Sequence, residues 1–111
     1  MNLREKLLTP QPLKVEEISL PDLGETVLIS AIHGGDRDEY EFALAKADKK
    51  PYRAMWIAMC VRDMEGNKVF TPDDIQTIAD TWTARDTNKA FNKAAELNGL
   101  SEDERESIKN E

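Results

Sequence analysis

A chain of 111 residues with a formal net charge of −7, 40% hydrophobic and 33% charged, has room for one compact domain with a modest core. Its acidic balance repels a phosphate backbone, and the one basic cluster, Lys46, Lys49 and Lys50 beside Arg53, is too small to reverse that, so no nucleic acid is expected. No apolar run approaches the ~20 residues of a membrane span, no signal peptide is evident, and the single cysteine excludes an internal disulfide; a reduced, soluble compartment is expected.

Residues 1–12 read as an N-terminal arm, with a short helix over 2–9 stopped by Pro10 and Pro12. Leu13-Lys14-Val15 and Ile18-Ser19-Leu20 each alternate, but out of phase by one residue, as a bulge between them would produce. Pro21-Asp22-Leu23-Gly24 is a turn signal, and Thr26 to Ile32 is a strand-like run, so residues 13–32 are expected to form a β-hairpin. A lone hairpin is marginal in water, and its apolar face must rest on helices or on another chain.

The periodicity then becomes helical over 36–100. Asp36 with Glu39 suggests a capping box, followed by Tyr40, Ala43, Leu44 and Ala47 on one face, with Lys49-Lys50-Pro51 ending the helix. Residues 52–63 are apolar nearly all round, which marks a central helix of either the core or an interface. Thr71-Pro72-Asp73-Asp74 is the sharpest start signal in the chain, and Ile75, Ile78, Ala79 and Trp82 follow at helical spacing. A further helix is expected over about 86–98, carrying Phe91, Ala94, Ala95 and Leu97 and ending at Asn98-Gly99. Ser101 with Glu104 offers one more cap, but residues 101–111 hold little besides Ile108 to anchor them and are expected to fray. The sum is a single α+β domain: a small N-terminal hairpin followed by a mainly helical remainder of about four helices.

Residue chemistry offers no catalytic constellation, no cofactor motif and no metal cluster, so no enzyme is expected. Cys60 lies in an apolar run where an inert thiol is the ordinary reading, and the only histidine, His33, sits in a turn-like His-Gly-Gly. Asp73, Asp74, Asp36, Asp38 and Glu39 are first-turn acids that suit a helix dipole. The stretch Asp63–Asp74 fails as a calcium loop, because its glycine falls fourth instead of sixth. The apolar material is more informative. Met55, Trp56, Met59 and Trp82, with Phe70 and Phe91 behind them, are the candidate partner contacts by chemical type, although Trp56, Ile57 and Ala58 read first as core.

In order, the landmarks are a short helix, a hairpin, Gly-Asp-Arg-Asp-Glu-Tyr-Glu at 35–41, an apolar helix, Asp63-Met64-Glu65-Gly66-Asn67-Lys68-Val69-Phe70-Thr71-Pro72-Asp73-Asp74-Ile75, and Leu97-Asn98-Gly99-Leu100. This succession resembles the tail assembly chaperones of lambda-like siphophages over about residues 13–101, carried by order and character more than by an invariant motif. The resemblance implies a chaperone that binds the tape measure protein and keeps it soluble until tail tube protein polymerises around it. It further implies a host-cytoplasmic protein absent from the mature virion, and often a second, longer product of ribosomal frameshifting that recruits tube subunits. Several copies acting on one long client make a homo-oligomer, as a ring or spiral, plausible through the hairpin edge or the N-terminal helix. The competing expectations are a head–tail connector or tail completion protein, and an acidic regulatory adaptor.

Overall fold

In the computed structural model, which describes residues 2–110, the chain runs α1 (Leu3–Leu8), β1 (Val15–Leu20), β2 (Glu25–Ser30), α2 (Gly34–Leu44), α3 (Tyr52–Cys60), β3 (Val61–Arg62), α4 (Ile75–Thr81), α5 (Ala84–Leu97) and α6 (Glu102–Lys109). A 3₁₀ turn at Pro72–Asp74 leads into α4. The architecture is α+β: after the short α1 comes the hairpin and then, among the described residues, five α-helices where the sequence suggested about four.

The hairpin forms where turn chemistry demands it. Gly24 takes a left-handed φ of 67° at the end of the Pro21–Gly24 turn, and its N–H donates to Leu20 O at 2.8 Å. Pairing is antiparallel and unbroken from Val15↔Ser30 to Leu20↔Glu25, so the expected bulge is absent. The phase conflict resolves differently. Ile18 and Leu20 point into the core, whereas Val15 lies on the opposite, exposed side and Leu13 precedes the strand. A third strand that sequence reasoning missed, β3, pairs Val61 with Ile29 and Arg62 with Leu28, giving sheet order β1-β2-β3.

Helix boundaries follow local chemistry with two departures. Helix α2 starts at Gly34, two residues before the expected capping box, and His33 at its N-cap makes no side-chain bond. Asp36 instead pairs with Lys68 at 3.3 Å, across to the turn that follows β3. The helix also ends at Leu44, well before Pro51. At Thr71 the capping box is present as read, with Asp74 Oδ2 accepting the Thr71 N–H at 2.8 Å. Helix α5 closes with a left-handed Gly99 at φ 68°, the Leu100 N–H donating to Ala95 O and the Gly99 N–H to Glu96 O, a Schellman ending that buries Leu100. The last segment, expected to fray, is an eight-residue helix with its own capping box between Ser101 and Glu104, and Ile108 packs against the core.

Helix α3 is the centre of the domain: α2, α4, α5 and α6 all pack against it. Every residue from Ala54 to Cys60 is buried, and Phe91, Ala94 and Ala95 of α5 meet it from one side. The inner face of the hairpin rests on α5. Each large side chain so buried contributes roughly 1.5–3 kcal/mol from area removed from water.

Two part-buried polar ties fasten the hairpin to the helices, beside a more exposed ion pair between Glu16 and Lys93 at 2.9 Å. Asp86, fully buried in the first turn of α5, accepts the backbone N–H of Asp22 at 3.3 Å and of Leu23 at 3.0 Å. In return the Asp22 carboxylate accepts the Thr83 hydroxyl and the Arg85 guanidinium. Asn98 makes the second tie: its Oδ1 accepts the Ile32 N–H at 3.0 Å, while its amide donates to Ala94 O at 2.8 Å and approaches Cys60 Sγ at 3.5 Å.

Candidate partner-binding surface

The structure removes the readiest nucleophile from consideration. Cys60 is fully buried, and burial pushes its thiol up to about 12, so the reactive thiolate is scarce at neutral pH. Its polar neighbour is Asn98, and His33 is exposed at the start of α2. Among the described residues no group of three or more His, Cys, Asp or Glu side chains is placed to hold a metal ion. In the turn that resembled a calcium loop, Asp63 Oδ1 accepts the Asn67 and Glu65 N–H groups, each at 2.9 Å. Those bonds, that to Asn67 foremost, hold the Asp63 carboxyl below its usual range. Among the described residues no helix is long and apolar enough to cross a membrane.

What remains is surface, and the structure sorts the expected contacts sharply. Met55, Trp56, Met59 and Phe91, four of the expected contacts, lie in the core of the chain, each at most 2% exposed. The reason is geometric: an all-round apolar helix surrounded by four others has no free side. Even the outer edge of Trp56 is roofed by the Arg37 guanidinium, 5.1 Å from the ring centroid. Phe70 and Trp82 are different. Both are half-buried and meet edge to face, with centroids 6.3 Å apart and planes at 67°.

Two grooves flank α3. One, of about 660 Å³, has Trp82, Ala54, Ala79 and Ala84 among its lining, with Lys49, Lys50 and Arg53 against one acid, Asp80. The other, of about 740 Å³, lies between α2, α3 and α6; Tyr52, Trp56 and Ile108 form its apolar part, and Glu41, Asp103 and Glu104 line it against one cation, Arg37. The grooves therefore carry opposite local charge on a chain that is acidic overall. Phe42 on α2 is 67% exposed and packs under the Lys46 ammonium, 4.9 Å from the ring centroid.

Besides Phe42, exposed apolar side chains outside the expected contacts cluster on α1. Leu3, Leu7 and Leu8 are 71%, 74% and 64% exposed, and the helix has no buried residue. The i, i+4 spacing of Leu3 and Leu7, cut off from the domain by two prolines, was the available signal.

No family model matches the sequence, and none of the curated proteins matches it significantly. Among solved structures, the bacteriophage HK97 tail assembly chaperone superposes with a TM-score of 0.67 at 12% identity, over 90% of this chain and 96% of that one. Across nine-tenths of its length, then, this chain shares the fold of a bacteriophage tail assembly chaperone, the family whose landmarks its sequence resembles.

Proposed function

We propose that the chain is itself a tail assembly chaperone of a long-tailed phage, a non-catalytic adaptor that binds the tape measure protein, keeps it soluble and promotes tail tube assembly around it. The observation that supports this most is the shared fold over nearly the whole of both chains, in a sequence whose landmarks run in the same order. The physics is that of a holdase. A long helical client exposes apolar faces that aggregate, and a groove with an aromatic floor covers such a face. The seat we assign is the groove at Trp82, with Phe70 packed behind it, because these are the expected contacts that retain surface. The −7 charge elsewhere keeps the loaded complex soluble.

On this reading several copies act along one client as a ring or spiral, and a longer product continuing past α6 recruits the tail tube protein. The chaperone works in the host cytoplasm and leaves before the virion is finished. Co-expression with the tape measure protein tests the core of the reading. The client should be soluble and co-purify only when the chain is present, and purified virions should lack the chain by mass spectrometry. A client indifferent to the chain, or a chain retained in virions, moves the assignment to a structural tail or connector component.

A further inference from the structure

Every residue from Asn2 to Pro12 is exposed, and the chain's radius of gyration is 14.5 Å against about 13 Å expected for a compact domain of this length. Helix α1 is thus an apolar element with none of its own side chains buried. Leu3 and Leu7 lie one turn apart on one face, with Arg4 and Lys6 on either flank of that seam and Leu8 just beyond Arg4.

We propose that α1 of one copy seats in the groove between α2, α3 and α6 of a second copy. Charge selects this groove over the other. The α1 seam is flanked by two cations, and the groove it would enter carries Glu41, Asp103 and Glu104 against the single Arg37. The Trp82 groove, with Lys49, Lys50 and Arg53 against the single acid Asp80, is net positive and disfavours the same helix. Among the described residues Asp103 has no ion-pair partner, so an incoming cation displaces nothing there. The apolar part of the groove that keeps surface, Tyr52 and Ile108, meets the two leucines.

Residues 9–14, extended and stiffened by Pro10 and Pro12, span about 20 Å from α1 to the start of β1. On a chain of net charge −7, copies repel one another, and the arm is the locally positive segment by which one approaches the next. Donor and acceptor surfaces differ, so each copy gives an arm and receives one. Such a heterologous contact closes into a ring or runs on as a helical filament, according to the rotation per step. The inference rests on the several-copy reading above and supplies its contact, but the test uses the chain alone, so failure here leaves client binding untouched.

Light scattering of the full chain over a wide concentration range should show reversible association beyond the monomer. Leu3→Ser with Leu7→Ser should weaken it at least about tenfold, the scale of losing buried anchors at an interface. Arg4→Glu with Lys6→Glu should weaken it similarly, and mixing that protein with an Asp103→Lys variant should restore part of the loss. Circular dichroism of each variant confirms the fold. A copy carrying Leu7→Cys should form a mixed disulfide with a differently tagged copy carrying Ile108→Cys. The proposal is overturned by a monomer at every concentration, by leucine variants that associate like the parent, or by a Leu7→Cys/Ile108→Cys chain that cross-links only to itself. An arm captured only by the tape measure protein overturns it too.

Discussion

Helices α3 and α1 are both rich in large apolar side chains, yet one is buried on every side and the other on none. Residues 54–60 of α3 are all buried, whereas Leu3, Leu7 and Leu8 of α1 face solvent. Composition alone does not separate core from interface; the neighbours do. Helix α3 is held between α2, α4, α5 and α6, while Pro10 and Pro12 keep α1 off the domain. Apolar surface that folding leaves uncovered is the part available to other proteins. The methionines and tryptophan of α3, the most partner-like chemistry in the sequence, are spent on stability.

That contrast can be broken at its strongest point first. Phe91→Ala opens a cavity against α3 and should destabilise the fold by about 3–5 kcal/mol in urea unfolding, a large share of the total stability of a small domain. A loss under 1 kcal/mol, on that same scale for truncated core aromatics, would mean that the centre is not packed as described. Next, Asp86→Ala should cost about 3 kcal/mol, because the Asp22 and Leu23 N–H groups lose a buried charged acceptor.

A smaller effect tests the outer half of that tie by pH. Hydrogen bonds from Arg85, then Thr83, hold the Asp22 carboxyl below its usual value near 3.8. A depressed folded value means that the contribution is present above the unfolded pKa and is lost as pH falls through the folded one. The stability gap between parent and Asp22→Asn should therefore be open at neutral pH and narrow as pH drops below about 4. A gap that is flat with pH sinks the assignment. Smallest of all, Leu3→Ser with Leu7→Ser should shift unfolding by no more than about 0.5 kcal/mol, as for surface positions. A larger shift in protein dilute enough to be monomeric would show that α1 is packed on its own domain.

These regions also show what the sequence could and could not reveal. The hairpin turn, the Thr71–Asp74 box and the Asn98-Gly99 helix end rest on contacts a few residues apart, and each was legible. Strand β3 was not, because Val61 and Arg62 continue an apolar helical run and become a strand only by pairing with Ile29 and Leu28. Asp86 reads as one more first-turn acid until a turn 64 residues away closes over it. The candidate site divides the same way. Aromatic and methionine content was visible, but which of those side chains keep surface is decided by long-range packing, and of the six expected contacts only Phe70 and Trp82 do.

Hydrogen–deuterium exchange of the chain, alone and with the tape measure protein, tests the central claim most directly. The account predicts slowed exchange along the Trp82 groove, at residues 49–54 and 76–87, with the interior of α3 equally protected in both states. Exchange unchanged everywhere, or α3 opening to engage the client, would contradict it.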